Sequence, residues 1–153
     1  MLNSQTSSSA SASDFALSSA APSIPPRANG ELILVVDDQE NIRDLLETVL
    51  NDHGYRTLLA VDGSHALNVF KEQAGNITAV ITDLHMPHTE GGSLADLLRE
   101  VRPDIPVLFM SGLNESGPIP GSSRDPFLMK PFRPIALLEA IHRLLHPRRS
   151  PNA

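Results

Sequence analysis

Five polar side chains in this sequence follow short apolar runs, and their types suit phosphoryl-transfer chemistry. Asp37 and Asp38 follow the first run, Asp83 a second, Ser111 a third and Lys130 a fourth. Three carboxylates in one crevice repel one another unless a cation lies among them or one keeps a proton. A hard divalent cation, Mg²⁺ above all, prefers an all-oxygen site of this kind.

Phosphoryl transfer needs a nucleophile and groups that neutralise the transferred oxygens. The metal and the Lys130 ammonium would neutralise those oxygens, and the Ser111 hydroxyl would orient one of them. A carboxylate would attack in line. We expect Asp83 to be that nucleophile, because it ends the predicted central strand, flanked by the strands that supply the other groups.

The apolar pattern predicts the elements that position these side chains. Short apolar runs predict five strands, at 32–36, 56–60, 78–82, 107–110 and 127–129. Apolar residues at helical spacing lie between most of these runs, as at Ile42, Leu46 and Leu50, where Gly54 ends the helix. Such alternation predicts a parallel sheet with helices on both faces. Ligands bind such sheets beyond the carboxyl ends of the strands, where all five polar side chains fall.

Composition excludes several classes of protein. The 153 residues include no Cys and carry a net charge of −6. Disulfides, thiolate catalysis and Cys-based zinc sites are therefore excluded, and nucleic-acid binding by bulk charge is not expected. No apolar run approaches the roughly 18 residues of a membrane span, so we expect no membrane insertion. The lack of Cys is consistent with a cytoplasmic protein.

We expect one domain over residues 31–147. Residues 1–30 are rich in Ser, Ala and Pro and poor in large apolar side chains, which predicts a disordered tail. Residues 148–153 are predicted to form a second disordered tail. Too few residues follow Lys130 for a DNA-binding helix pair or an enzyme domain, so we expect either a stand-alone domain or one cut from a longer protein.

Four motifs at the predicted strand ends resemble the receiver domain of two-component response regulators. They are VVDD at 35–38, TDLHMP at 82–87, MSG at 110–112 and LMKPF at 128–132. Each motif is common alone, but their order and spacing agree with that family over about residues 32–146. The resemblance implies an α/β, flavodoxin-like fold, which is a doubly wound five-stranded parallel sheet of strand order 2-1-3-4-5.

The resemblance also implies roles for the residues at the sheet edge. Asp83 would accept a phosphoryl group from a histidine kinase or a histidine phosphotransfer protein. Asp37, Asp38, Asp83 and the backbone carbonyl of His85 would hold Mg²⁺. Such a protein is a signalling module rather than an enzyme, since it catalyses only its own phosphorylation and dephosphorylation.

A conformational switch is implied by the same resemblance. Ser111 and Lys130 would contact the phosphoryl oxygens, and Phe127 would turn into the space that Ser111 leaves. An unidentified downstream protein would read the changed surface, and a phosphorylation-dependent dimer is a further option. The Lys130–Pro131 peptide bond would be cis, which is inexpensive only before proline.

Residues 112–126 depart from the family pattern. Three Gly and three Pro in this stretch leave no room for a stable helix, which predicts a fourth helix that is short or missing. His85, His88 and Glu90 are close in sequence, but structural zinc normally needs four ligands, so we expect surface histidines.

Two other functions stay open at this point. A degenerate receiver would dock with partners without being phosphorylated. A Mg²⁺-dependent phosphatase with an Asp nucleophile is less favoured. Phosphatases of the haloacid-dehalogenase type carry D-x-D near the first strand, whereas Asp37 and Asp38 are adjacent and the expected nucleophile follows the third strand.

Overall fold

A computed structural model describes residues 23–86, 89–112 and 125–147 of the chain. The elements in chain order are β1 (Leu32–Val36), α1 (Glu40–Asp52), β2 (Arg56–Ala60), α2 (Gly63–Gln73), β3 (Ile77–Asp83), β4 (His85–Met86), β5 (Thr89–Glu90), α3 (Gly91–Val101), β6 (Val107–Ser111), β7 (Phe127–Met129) and α4 (Pro134–Leu145). All five predicted strands are present. The short antiparallel pair β4–β5 was not predicted, because two-residue strands carry no readable periodicity.

The five longer strands form one sheet in the order β2-β1-β3-β6-β7. Every neighbouring pair in this sheet is parallel. Counted without β4 and β5, this is the order 2-1-3-4-5, so the predicted flavodoxin-like fold is confirmed. The strand order runs backwards from β2 to β1 and forwards from β3 to β7, so it reverses between β1 and β3. The carboxyl end of β3 therefore lies at the expected ligand crevice.

Two apolar cores, one on each face of the sheet, fix the helices in place. Leu34 and Val36 of β1 pack in one core with Phe70 of α2, while Ile33 and Val35 face the other core. Alternate side chains of a strand point to opposite faces, so an all-apolar strand is needed to serve both cores. The second core includes buried leucines of α1 and α4, and burying each such side chain contributes about 1.5–3 kcal/mol.

Residues 25–30, which we call the N-terminal strap, are bonded to the end of α1. The Ala28 amide donates to the His53 carbonyl and the Gly30 amide to the Gly54 carbonyl, each at 2.9 Å. These bonds give partners to the carbonyls of the two residues that follow α1. Gly54 has a φ of +96°, and a Cβ there would lie 2.6 Å from the Ala28 carbonyl oxygen. The N-terminal strap therefore contacts the domain, although the sequence analysis assigned residues 1–30 to a tail.

Several predictions concern parts of the chain outside the described residues. The prediction that the fourth helix of the family is short or missing concerns mainly residues 113–124. The two predicted tails lie largely in residues 1–22 and 148–153. The zinc hypothesis involved His88, which is also outside the described residues. None of the helices that the structure describes is long and apolar enough to cross a bilayer.

Candidate functional site

The carboxyl ends of β1, β3, β6 and β7 meet at one edge of the sheet. Asp83 is the last residue of β3 and pairs in register with Met110 of β6. The Ser111 carbonyl, at the end of β6, accepts a hydrogen bond of 2.7 Å from the Lys130 amide, just beyond β7. Parallel pairing thus brings together polar residues that are far apart in the sequence.

Three aspartates form an acidic cluster at this edge. One carboxylate oxygen each from Asp37, Asp38 and Asp83 lies within 4.8 Å of the other two. Asp37 is fully buried and Asp83 is 4% exposed, whereas Asp38 is exposed. The cluster is therefore a crevice with two buried carboxylates at its base and a third at its mouth.

Lys130 bridges the two buried carboxylates. Its Nζ lies 3.1 Å from Asp37 Oδ2 and 3.2 Å from Asp83 Oδ2. One ammonium group thus offsets part of the repulsion between two carboxylates. Because Lys130 carries one charge against three in the acidic cluster, the cluster retains an excess of negative charge.

Residues at the start of α1 position Asp37. The Gln39 amide donates to Asp37 Oδ1 at 2.9 Å, and the Arg43 guanidinium donates to the Asp37 carbonyl at 2.7 Å. A buried carboxylate must be hydrogen-bonded to be tolerated. Sequence reasoning missed Gln39 and Arg43. The only signal for Arg43 is its place on the first turn of the helix that follows the aspartate pair.

The electrostatic environment of the crevice favours a cation. Burial raises the pKa of Asp83 above its ordinary value, Lys130 lowers it and Asp37 raises it again, with a net increase. For Lys130, burial lowers the pKa, but the Asp37 and Asp83 carboxylates raise it by more than that. The net change is an increase, so the ammonium form is favoured. A group of buried carboxylate oxygens with incomplete charge compensation suits a divalent metal such as Mg²⁺.

The backbone of His85 lies beside the acidic cluster. Its amide approaches Asp83 Oδ1 at 3.4 Å, which is a long hydrogen bond. His85 is exposed, and the role of its backbone carbonyl as a metal ligand stays a prediction. The Lys130–Pro131 peptide bond beside the crevice is cis.

Phe127 is the first residue of β7 and pairs with Phe109 of β6, two residues before Ser111. Its ring is half-buried and packs against Phe109 of β6, with the ring centroids 5.9 Å apart. Phe127 also contacts the core shared with α2 and α3. The structure therefore places the two expected switch residues on neighbouring strands, and their movement stays a prediction.

Comparisons with known proteins agree on one family. The family model described as "Response regulator receiver domain" matches residues 33–142. A probable transcriptional regulator ycf27 from Porphyridium aerugineum is 37% identical over 118 residues, which is 75% of this chain and 48% of that protein. The sensor kinase CckA from Brucella abortus is 31% identical over 74% of this chain and 12% of its own length. The chain spans about half the length of the transcriptional regulators that it matches.

Solved structures show the same fold. The receiver domain of the hybrid histidine kinase CckA superposes with a TM-score of 0.66 at 31% identity, covering 75% of this chain and 99% of that one. The chemotaxis protein CheY4 from Vibrio cholerae gives a TM-score of 0.67 at 27% identity, covering 76% and 99%. With the family match over residues 33–142, these similarities show that the chain belongs to the response regulator receiver domain family.

Proposed function

We propose that this protein is the phosphoacceptor of a two-component phosphorelay, modified on Asp83 in a Mg²⁺-dependent reaction. The observation that carries the proposal is the position of Asp83, which is nearly buried within the acidic cluster and bonded to Lys130. Family membership supports a phosphoacceptor role in two-component signalling. The donor would be a histidine kinase or a histidine phosphotransfer protein.

The residues that would hold Mg²⁺ are Asp37, Asp38, Asp83 and, through its backbone carbonyl, His85. The three carboxylates fit such an ion because they converge within 4.8 Å and exceed the charge of Lys130. When bound, Mg²⁺ would supply positive charge against the oxygens of the transferring phosphoryl group.

Asp83 would act as the nucleophile. A carboxylate oxygen of Asp83 would form a bond to phosphorus as the bond from phosphorus to the donor histidine nitrogen breaks. Lys130 would keep its proton, since its two carboxylate neighbours raise its pKa, and its ammonium could pair with a phosphoryl oxygen. Asp37 is fixed by Gln39 and would not need to reorganise during the reaction.

Signalling would follow from the new charge. A phosphoryl group adds strong acceptor oxygens at the end of β3, and the Ser111 hydroxyl at the end of β6 would move to donate to one of them. Phe127, packed on β7 beneath Ser111, would then reorient and change the surface around β6 and β7. Reversing a two-state equilibrium from mostly off to mostly on requires roughly 5 kcal/mol of differential contact.

The test is phosphorylation by a small-molecule donor. The protein would be incubated with acetyl phosphate and Mg²⁺ and its intact mass measured, alongside Asp83→Asn and the control Asp62→Asn. Asp62 caps α2 by accepting a bond from the His65 amide and lies outside the acidic cluster. We expect one added phosphoryl group in the wild type and in Asp62→Asn, and none in Asp83→Asn.

Two results would contradict the proposal. Equal phosphorylation of Asp83→Asn would place the modification elsewhere. No modification by acetyl phosphate or by a panel of phosphorylated histidine kinases would favour a docking module that works without phosphorylation.

A further inference from the structure

A second candidate site lies at the opposite edge of the sheet, where the amino ends of the strands lie. A cavity of about 720 Å³ separates residues 23–26 from the last turns of α4. Its helical wall carries Glu139, His142, Arg143 and His146. The other wall is held in place by His53, whose Nε2 bonds the carbonyls of Pro25 at 2.8 Å and Pro26 at 3.0 Å.

The four polar side chains of the helical wall share one face of α4. Their spacing of i, i+3, i+4 and i+7 places them in a row along the helix. The His146 amide donates to the His142 carbonyl at 2.9 Å, so helical spacing persists through the residue that caps the helix. The rings of His142 and His146 are neighbours, with centroids 4.6 Å apart.

Two imidazoles one helical turn apart are a chelating arrangement for zinc and related metals. With zinc–nitrogen bonds of about 2.0–2.1 Å and a tetrahedral angle, the two ring centroids would lie about 5 Å apart. The observed 4.6 Å is close to this value. The carboxyl end of a helix also carries partial negative charge, which favours a cation beside His146.

The charges of the cavity do not oppose a cation. Glu139 and Arg143 carry opposite charges on the same wall, so the fixed charges of the lining balance. Among the described residues, three metal-ligating side chains converge within 4.8 Å only at the acidic cluster. The cavity is thus lined by two neighbouring imidazoles, and a metal held by them would take its remaining ligands from water.

We propose that His142 and His146 bind a divalent transition-metal ion, with Zn²⁺ the best fit, at a site separate from the acidic cluster. Imidazole nitrogen favours zinc and its neighbours in the first transition row, whereas carboxylate oxygen favours Mg²⁺. The two sites therefore differ in metal preference as well as in position. This inference does not depend on the proposed phosphorylation of Asp83.

The test is calorimetric titration of the full chain with Zn²⁺ in excess Mg²⁺, which would compete for the acidic cluster. We expect one Zn²⁺ per chain and, for His142→Gln or His146→Gln, an affinity lowered roughly tenfold or more. His65→Gln, an exposed histidine of α2, is the matched control and should bind as the wild type does. Zn²⁺ should also raise the melting temperature of the wild type, because it binds the folded state.

Circular dichroism of each variant establishes that it is folded before its binding is compared. Absence of Zn²⁺ binding by the wild type in excess Mg²⁺ would overturn the proposal. Unchanged affinity in both His142→Gln and His146→Gln would also overturn it, because the metal would then be held by other histidines.

Discussion

Replacing Lys130 with Met tests the electrostatic account of the crevice. Met keeps an unbranched apolar side chain but removes the ammonium that lies 3.1 Å from Asp37 and 3.2 Å from Asp83. Breaking a buried ion pair costs about 3–5 kcal/mol. The Lys130 side chain is 17% exposed, and Asp83 can relieve part of the repulsion by taking a proton. We therefore expect a loss of about 2–3 kcal/mol in the free energy of unfolding at pH 8.

The loss should depend on pH in a defined direction. Burial and Asp37 raise the pKa of Asp83, while Lys130 lowers it, so removing Lys130 raises that pKa further. A raised folded-state pKa means that the charged carboxylate opposes folding, and stability is lost as pH rises through that pKa. The deficit of Lys130→Met should therefore be full at alkaline pH and should shrink as the pH falls and Asp83 is protonated.

Urea unfolding followed by circular dichroism, in metal-free buffer at pH 8 and pH 5, measures this difference. Lys71→Met is the matched control, since Lys71 is the only other lysine of the chain and is exposed on α2. Equal stability of Lys130→Met and Lys71→Met at pH 8 would refute the reasoning. A deficit that grows between pH 8 and pH 5 would refute it as well.

Three further predictions concern stability. Gly54→Ala should cost at least about 1 kcal/mol more than Gly30→Ala in urea unfolding. Both glycines have a positive φ, but only the Gly54 Cβ would strike a carbonyl of the N-terminal strap. Burial first, and then the neighbouring Glu31 carboxylate, raise the pKa of Tyr55. The stability that this pKa increase contributes is therefore complete below the ordinary tyrosine pKa, and it is lost as pH rises through the pKa of Tyr55 in the folded protein. Tyr55→Phe should lack this part of the alkaline loss, and tyrosinate absorbance reports Tyr55 alone because the chain has no other tyrosine. Arg99→Lys should lower the free energy of unfolding in urea by about 1 kcal/mol, since Lys cannot reproduce the paired bonds of 2.9 and 3.1 Å to Asp125. Equal free energies of unfolding would show that solvent screens the pair.

Most of the fold could be predicted because its signals are local. The boundaries of β2 at 56–60 and β7 at 127–129 agree with the structure, since each strand is bounded by residues that turn the chain or end the pairing. Gly54, expected to end α1, has the positive φ that such a cap requires. Asp62 caps α2 by accepting a bond from the His65 amide, a role that its residue type favours.

The contacts of the N-terminal strap could not be predicted from composition. Residues 25–30 are polar and proline-rich, which is typical of disorder, yet they bond the carbonyls at the end of α1. Those bonds depend on where α1 ends relative to the start of β1. That position is set by packing of the helix on the sheet, which has no counterpart in the local sequence.

The sequence by itself determined which chemical groups this protein can use. It set the acidic, hydroxyl and ammonium groups after the strands, and the apolar alternation required those strand ends to share one edge. Only the tertiary structure decided how the groups meet: Lys130 reaches Asp37 across 93 positions of sequence, and Arg43 turns inward to hold the carbonyl of Asp37. Periodicity specifies which face or edge a residue occupies, whereas a distance of about 3 Å between side chains depends on the packing of both cores at once.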